Sequence, residues 1–112
     1  MDEKLKKWLY YVLKSIEEIE DYASQANRNF IRFKENKMMK RAIERNLEIL
    51  GEAVNRILQV DESIEITDAR KIVGLRNNII HSYETVSDEI IWSIFIKHIP
   101  KLKKEITKLI QE

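Results

Sequence analysis

LKKWLYYVLKSIEEIEDYASQA, residues 5–26, decides the fold. Leu5, Leu9, Val12, Ile16, Ile19, Ala23 and Ala26 step by four and three, the spacing that keeps apolar side chains on one face of an α-helix. Trp8, Leu13 and Tyr22 widen that stripe into a face broad enough for a globular core. Asp2 stands where an N-cap is needed, so the spacing predicts a first helix from about Asp2 to Ala26.

The same rhythm returns three more times. Ile43, Leu47, Leu50, Val54 and Ile57 predict a second helix over about Lys37–Gln59. Gly51 falls in its middle at a cost of about 1 kcal/mol relative to Ala, which predicts close approach by another helix. Ile72, Val73, Leu75, Ile79 and Ile80 mark a third helix, capped by Thr67 or Asp68 and ending near His81 or Ser82. Ile91, Ile94, Phe95, Ile99, Leu102, Ile106 and Leu109 carry a fourth, with Ser87 as its N-cap and a kink from Pro100 after about Lys97. Residues 27–36 form a basic connector around Phe30, Ile31 and Phe33, with room for one short helical turn, and Val60–Ile66 form an acidic loop. The expectation is all-α: an antiparallel four-helix bundle, one domain over residues 1–112.

Composition agrees and excludes much else. A chain of 112 residues makes one domain of ordinary size, and 44% apolar with 35% charged residues is neither disordered nor membranous. No apolar run approaches the ~20 residues of a spanning helix. The charge-rich start offers no secretory signal, so the expected location is cytoplasmic. Zero cysteines remove disulfides, thiolate metal sites and cysteine nucleophiles, and two glycines cannot build a Walker loop or a dinucleotide cradle. The Glu-x-x-His pairs of a bundle di-metal site are missing, since Asn78 and Phe95 stand three residues before His81 and His98. No metal and no cofactor are expected. The acidic stripe Glu44, Glu48 and Glu52 reads as a solvated face with pairs such as Glu52–Arg56, and His98 as an ordinary, partly exposed side chain.

Lys and Arg number 20 against 19 Asp and Glu, so net charge attracts nothing. Its distribution is uneven. Arg28, Arg32, Lys34, Lys37, Lys40, Arg41 and Arg45 face only Glu35 and Glu44, and the last helix is basic again. Interspersed charge for solubility explains most of this, and an RNA-tracking surface is the alternative.

One stretch stands apart: Arg76-Asn77-Asn78-Ile79-Ile80-His81-Ser82-Tyr83. Polar groups at a helix C-terminus need no function, and a histidine is favoured there. Cleaving RNA without metal, however, requires a group with pKa near 7 to move protons and a fixed cation for charge developing on phosphate. Histidine is the first, and the planar fork of arginine is the second. Asn77 or Asn78 can position a phosphate oxygen or orient the imidazole. On a continuous helix, five residues leave Arg76 and His81 roughly 140° apart. They converge if His81 lies beyond the last turn, or if a two-fold dimer brings two copies of each into one cleft.

Arg76 through His81 match R-x4-H, and Tyr83 extends the pattern to R-x4-H-x-Y. In this the chain resembles the HEPN domains, and among them the HepT-like toxins. The likeness takes in Leu50-Gly51-Glu52-Ala53 and the segment from Trp92 through Pro100-Lys101-Leu102, nearly the whole chain. It implies a homodimeric helical bundle whose motifs line an interface cleft and cut RNA without metal. Arg76 and His81 would be catalytic. It also implies an MntA-like nucleotidyltransferase antitoxin as partner, transferring AMP to Tyr83 and silencing the toxin. Adenylylation would place a bulky anion two residues from His81, which would repel substrate phosphate. A non-catalytic nucleotide- or partner-binding subunit of such a complex, or a purely structural dimer, would use the same helices. The location of Tyr83 past the third helix predicts an exposed phenol, whereas Tyr10, Tyr11 and Tyr22 are expected near the core face of the first helix.

Overall fold

The computed structural model describes residues 2–81 and 87–112, with side chains throughout except at 78–81. Among the described residues there are six helices: α1 Glu3–Gln25, α2 Phe30–Glu35, α3 Lys37–Val60, α4 Ala69–His81, α5 Asp88–Lys97 and α6 Ile99–Gln111. They form a HEPN-like helical bundle with no strand among the described residues. No described helix is long and apolar enough to cross a membrane.

Local signals set the ends of these helices. The Asp2 carboxylate accepts from the amides of Lys4 and Leu5, starting α1 as expected. Asn29 caps α2 through the amide of Arg32, Asn36 caps α3 through Met39, and Ser87 caps α5 through Ile90. At the end of α1 the amide of Arg28 reaches the carbonyl of Ala23, and that of Asn27 reaches Ser24. This is a Schellman closure with Asn27 in the left-handed region at φ 52°, where asparagine substitutes for glycine. The short turn expected between the first two long helices is thus α2.

The expected fourth helix is two, α5 and α6, broken at His98. Pro100 sits in the first turn of α6, where its missing N–H costs least. The start of α4 also differs from the expected cap. Asp68 accepts the first backbone bond, from the amide of Ile72, but its carboxylate takes Nδ1 of His98 at 3.0 Å. Thr67 bonds Glu105 of α6 through both its amide and its hydroxyl. The side chains of both residues thus tie α4 to the break and to α6 rather than cap α4's amides, and Asp68 holds φ 63°.

α1 packs most extensively on α3, α3 on α4, and α6 on α1 and α5. Leu9, Val12, Ile16, Ile19, Val54, Ile57, Ile91 and Ile106 are fully buried where these faces meet. Phe33 is also fully buried, in an aromatic group with Phe30, Trp92 and Phe95 that fastens α2 to α5. A carboxylate on α1 and a lysine on α6 add a tie across the bundle: Glu20 bonds Lys103 at 2.7 Å and holds its ammonium pKa above the ordinary value.

Candidate active site around Arg76

α4 crosses α3 at Gly51. A methyl group there would collide with Cβ of Arg76 and come within 2.9 Å of its Cγ and 3.3 Å of the Ile72 carbonyl oxygen. The glycine therefore lets two helix backbones approach where the sequence predicted it. The consequence is positional: Arg76 leaves α4 directly against the next residue of α3, Glu52.

The guanidinium of Arg76 is held on two sides. One terminal nitrogen lies 2.9 Å from Oε2 of Glu52, and the other donates to Oδ1 of Asn77 at 2.9 Å. The other Glu52 oxygen accepts from Nε of Arg56 at 2.8 Å. The expected Glu52–Arg56 pair is present, but the carboxylate bridges two arginines rather than serving a surface pair alone. The Nε of Arg76 is buried without a partner among the described residues, while the side chain keeps about a quarter of its surface exposed. A guanidinium so held loses little conformational freedom when it meets a phosphate.

α4 runs unbroken through His81. Arg76 and His81 thus sit on one continuous helix about 140° apart, and the alternative of a His81 beyond the last turn is not realised. Asn77 is exposed beside Arg76. The side chains of Asn78 and His81 lie outside those described, and Tyr83 lies outside the described residues altogether. Tyr10 and Tyr11, expected near the core, are instead 51% and 43% exposed. They follow Leu9 around the helix to its outer side.

The family model described as "Ribonuclease HepT-like" matches residues 12–109. The chain belongs to the HepT-like ribonuclease family. The match takes in the whole Arg76–Tyr83 motif and both helices of the Gly51 crossing. This HepT-like chain is 35% identical to "Putative RNase MJ1380" of Methanocaldococcus jannaschii, over 91% of its own length and 93% of that protein's. It is 31% identical to "Putative RNase MJ1216" of the same organism, over 96% and 88% of the two lengths. A third relative, "Putative RNase TTE0752" of Caldanaerobacter subterraneus, is 34% identical over 75% and 76%. No solved structure gives a significant match.

Among the described residues no three His, Cys, Asp or Glu side chains gather at metal-binding distance. His98 is partly exposed, as expected, and engaged with Asp68 rather than with the Arg76 region. What inspection of the sequence missed is Glu52 as the partner of Arg76. The signal was available in Gly51-Glu52: a helix approaching at the glycine must set its own side chain beside the neighbouring carboxylate.

Proposed function

We propose that this HepT-like protein is a metal-independent endoribonuclease, with His81 moving protons and Arg76 offsetting charge on the phosphate. The observation that carries the reading is the R-x4-H-x-Y motif, within the family match, on a helix whose arginine is pre-positioned by Glu52. An internal 2′-hydroxyl attacks the adjacent phosphorus, its proton passing to a base. The 5′-oxygen leaves with a proton from an acid, and the product ends in a 2′,3′-cyclic phosphate. Asn77 and Asn78 are assigned to positioning the phosphate. The 140° between Arg76 and His81 favours a homodimer in which two copies of each face one cleft.

Control follows from the same motif. The proposed partner is an MntA-like nucleotidyltransferase antitoxin in a toxin–antitoxin pair, which transfers AMP to the Tyr83 oxygen and releases pyrophosphate from ATP. With Tyr10 and Tyr11 exposed, selection of Tyr83 rests on its place two residues after His81 in the motif and on the family pattern.

The test is RNA cleavage by purified protein in EDTA. Loss of about 10²-fold or more in His81→Ala supports proton transfer by this side chain. Ends carrying 5′-phosphate, or a requirement for Mg²⁺, would overturn the mechanism. One observation favours a second reading, a non-catalytic subunit that binds the transferase: Glu52 and Asn77 already occupy the terminal nitrogens of Arg76. Under that reading neither His81→Ala nor Arg76→Ala changes any RNA, and both weaken the complex.

A further inference from the structure

Beside Arg76 a groove runs between α1 and α3. Its first part, about 360 Å³, is walled by Trp8 and Tyr11 of α1 and by Arg45 and Ile49 of α3, with Arg76 of α4 in its lining. A second part, about 350 Å³, continues past Lys7 and Trp8, which it shares, to Lys4 and Arg56. Five cations and two carboxylates, Glu48 and Glu52, line the two parts together.

Trp8 is half-buried and rests one side on the core, whereas Tyr11 beside it is exposed. Tyr11 is 43% exposed, and its ring lies 5.5 Å from that of Trp8, tilted by 44°. The Lys7 ammonium stands 5.5 Å above the Trp8 ring and 5.9 Å from that of Tyr11. Exposed π-faces interleaved with long, flexible cations are what binds single-stranded nucleic acid: bases stack on the rings while cations track the phosphates. Duplex offers no free base face. A second copy filling the groove would set this net-positive surface against itself, whereas the open cleft proposed above, shared by two copies, leaves it facing the RNA.

We infer that the α1–α3 groove is a stacking subsite for single-stranded RNA, in which Tyr11 and Trp8 hold a base and Lys7 a phosphate next to the one Arg76 engages. The inference rests on the ribonuclease reading of Arg76 and supplies its substrate class, unpaired RNA. Glu52 links the two: it holds Arg76 in the groove lining while Arg56 continues the cationic wall.

The experiment uses His81→Ala protein, so that the probe survives, and a fluorescein-labelled oligouridylate read by anisotropy. Tyr11→Ala should weaken binding about tenfold or more, the worth of one stacked base, and Tyr11→Phe should restore it. Lys7→Ala should weaken binding and lower the slope of log affinity against log salt by about 0.7, one phosphate contact on a single strand. A hairpin duplex should bind more weakly than the single strand and ignore Tyr11→Ala. Sedimentation of Tyr11→Ala should give the parent mass. Equal binding by parent and Tyr11→Ala would overturn the inference, and so would a drop in mass, which would make the groove a contact between copies. If Tyr11-dependent binding is seen but protein with His81 intact leaves RNA whole, the groove stands and the ribonuclease reading falls. If RNA is cut while Tyr11→Ala changes neither binding nor cleavage, the reverse holds.

Discussion

The two glycines of the chain lie on the two sides of one helix and do opposite things. Gly51 belongs to α3 and is filled from across the interface, since any side chain there meets Arg76 and the backbone of Ile72. Gly74 belongs to α4 itself, and a methyl group added to it would meet nothing within 4 Å among the described residues. It borders a groove of about 370 Å³ between α4 and α5, with Leu75, Ile90, Ile94 and His98. The α3 side of α4 is thus rigidly packed and holds the arginine, while the α5 side is open. Helix propensity treats both glycines alike. Packing separates them.

The sharpest way to break this comparison is to change the arginine. Arg76→Ala should reduce RNA cleavage by about 10²-fold or more, the scale of removing one group that stabilises developing charge. Arg76→Lys should be nearly as damaging, because an ammonium cannot bridge Glu52 and a phosphate with a planar fork. Full activity in the lysine variant, measured with the same RNA, would mean that only charge matters there.

Next comes Gly51→Ala. It gains up to about 1 kcal/mol of helix propensity, but overpacking costs typically 1–3 kcal/mol, so urea unfolding should show net destabilisation. It should also lower cleavage, because α4 must move and Arg76 with it. Undiminished stability would show that the α3–α4 crossing yields more easily than its close contacts imply.

Gly74→Ala is the matched control. With no described residue within 4 Å of the added methyl, it should stabilise the protein by about 0.5–1 kcal/mol in the same titration. A loss instead would show that the α5 side is closed in solution, for instance by a second subunit.

The smallest effect concerns Glu44, about two turns from the crossing on α3. Burial raises its pKa, with Asp88 and Glu48 adding to the rise and Arg41 and Lys40 opposing it. A carboxyl with a raised folded-state pKa contributes most below its unfolded value, and that contribution is lost as pH rises through the folded value. Glu44→Gln should therefore match the parent near pH 4 and exceed it at pH 7 by no more than about 0.5 kcal/mol. Thermal melts at the two pH values check the sign.

Much of this architecture was legible from residue order. The four apolar stripes, the caps at Asp2 and Ser87, the turn that became α2 and the close approach at Gly51 all follow from short-range periodicity and side-chain chemistry. So did the motif, because R-x4-H-x-Y is written in adjacent residues. The break at His98 was half legible. Pro100 announced a disturbance, but only packing against Asp68 and Glu105 explains why α6 and α4 are joined there.

Sequence by itself determined which segments are helices, which faces of them are apolar and which residues could carry phosphate chemistry, because these depend on neighbours three or four positions away. Tertiary structure decided that Glu52 holds Arg76, that the Asp68 carboxylate binds His98 instead of capping α4's amides, and that Tyr10 and Tyr11 face outward. Glu52 and Arg76 are 24 positions apart, and Asp68 and His98 are 30. Whether such groups meet depends on the crossing of rigid helices, and that crossing is set by the summed fit of whole faces, with a single glycine deciding how near they come.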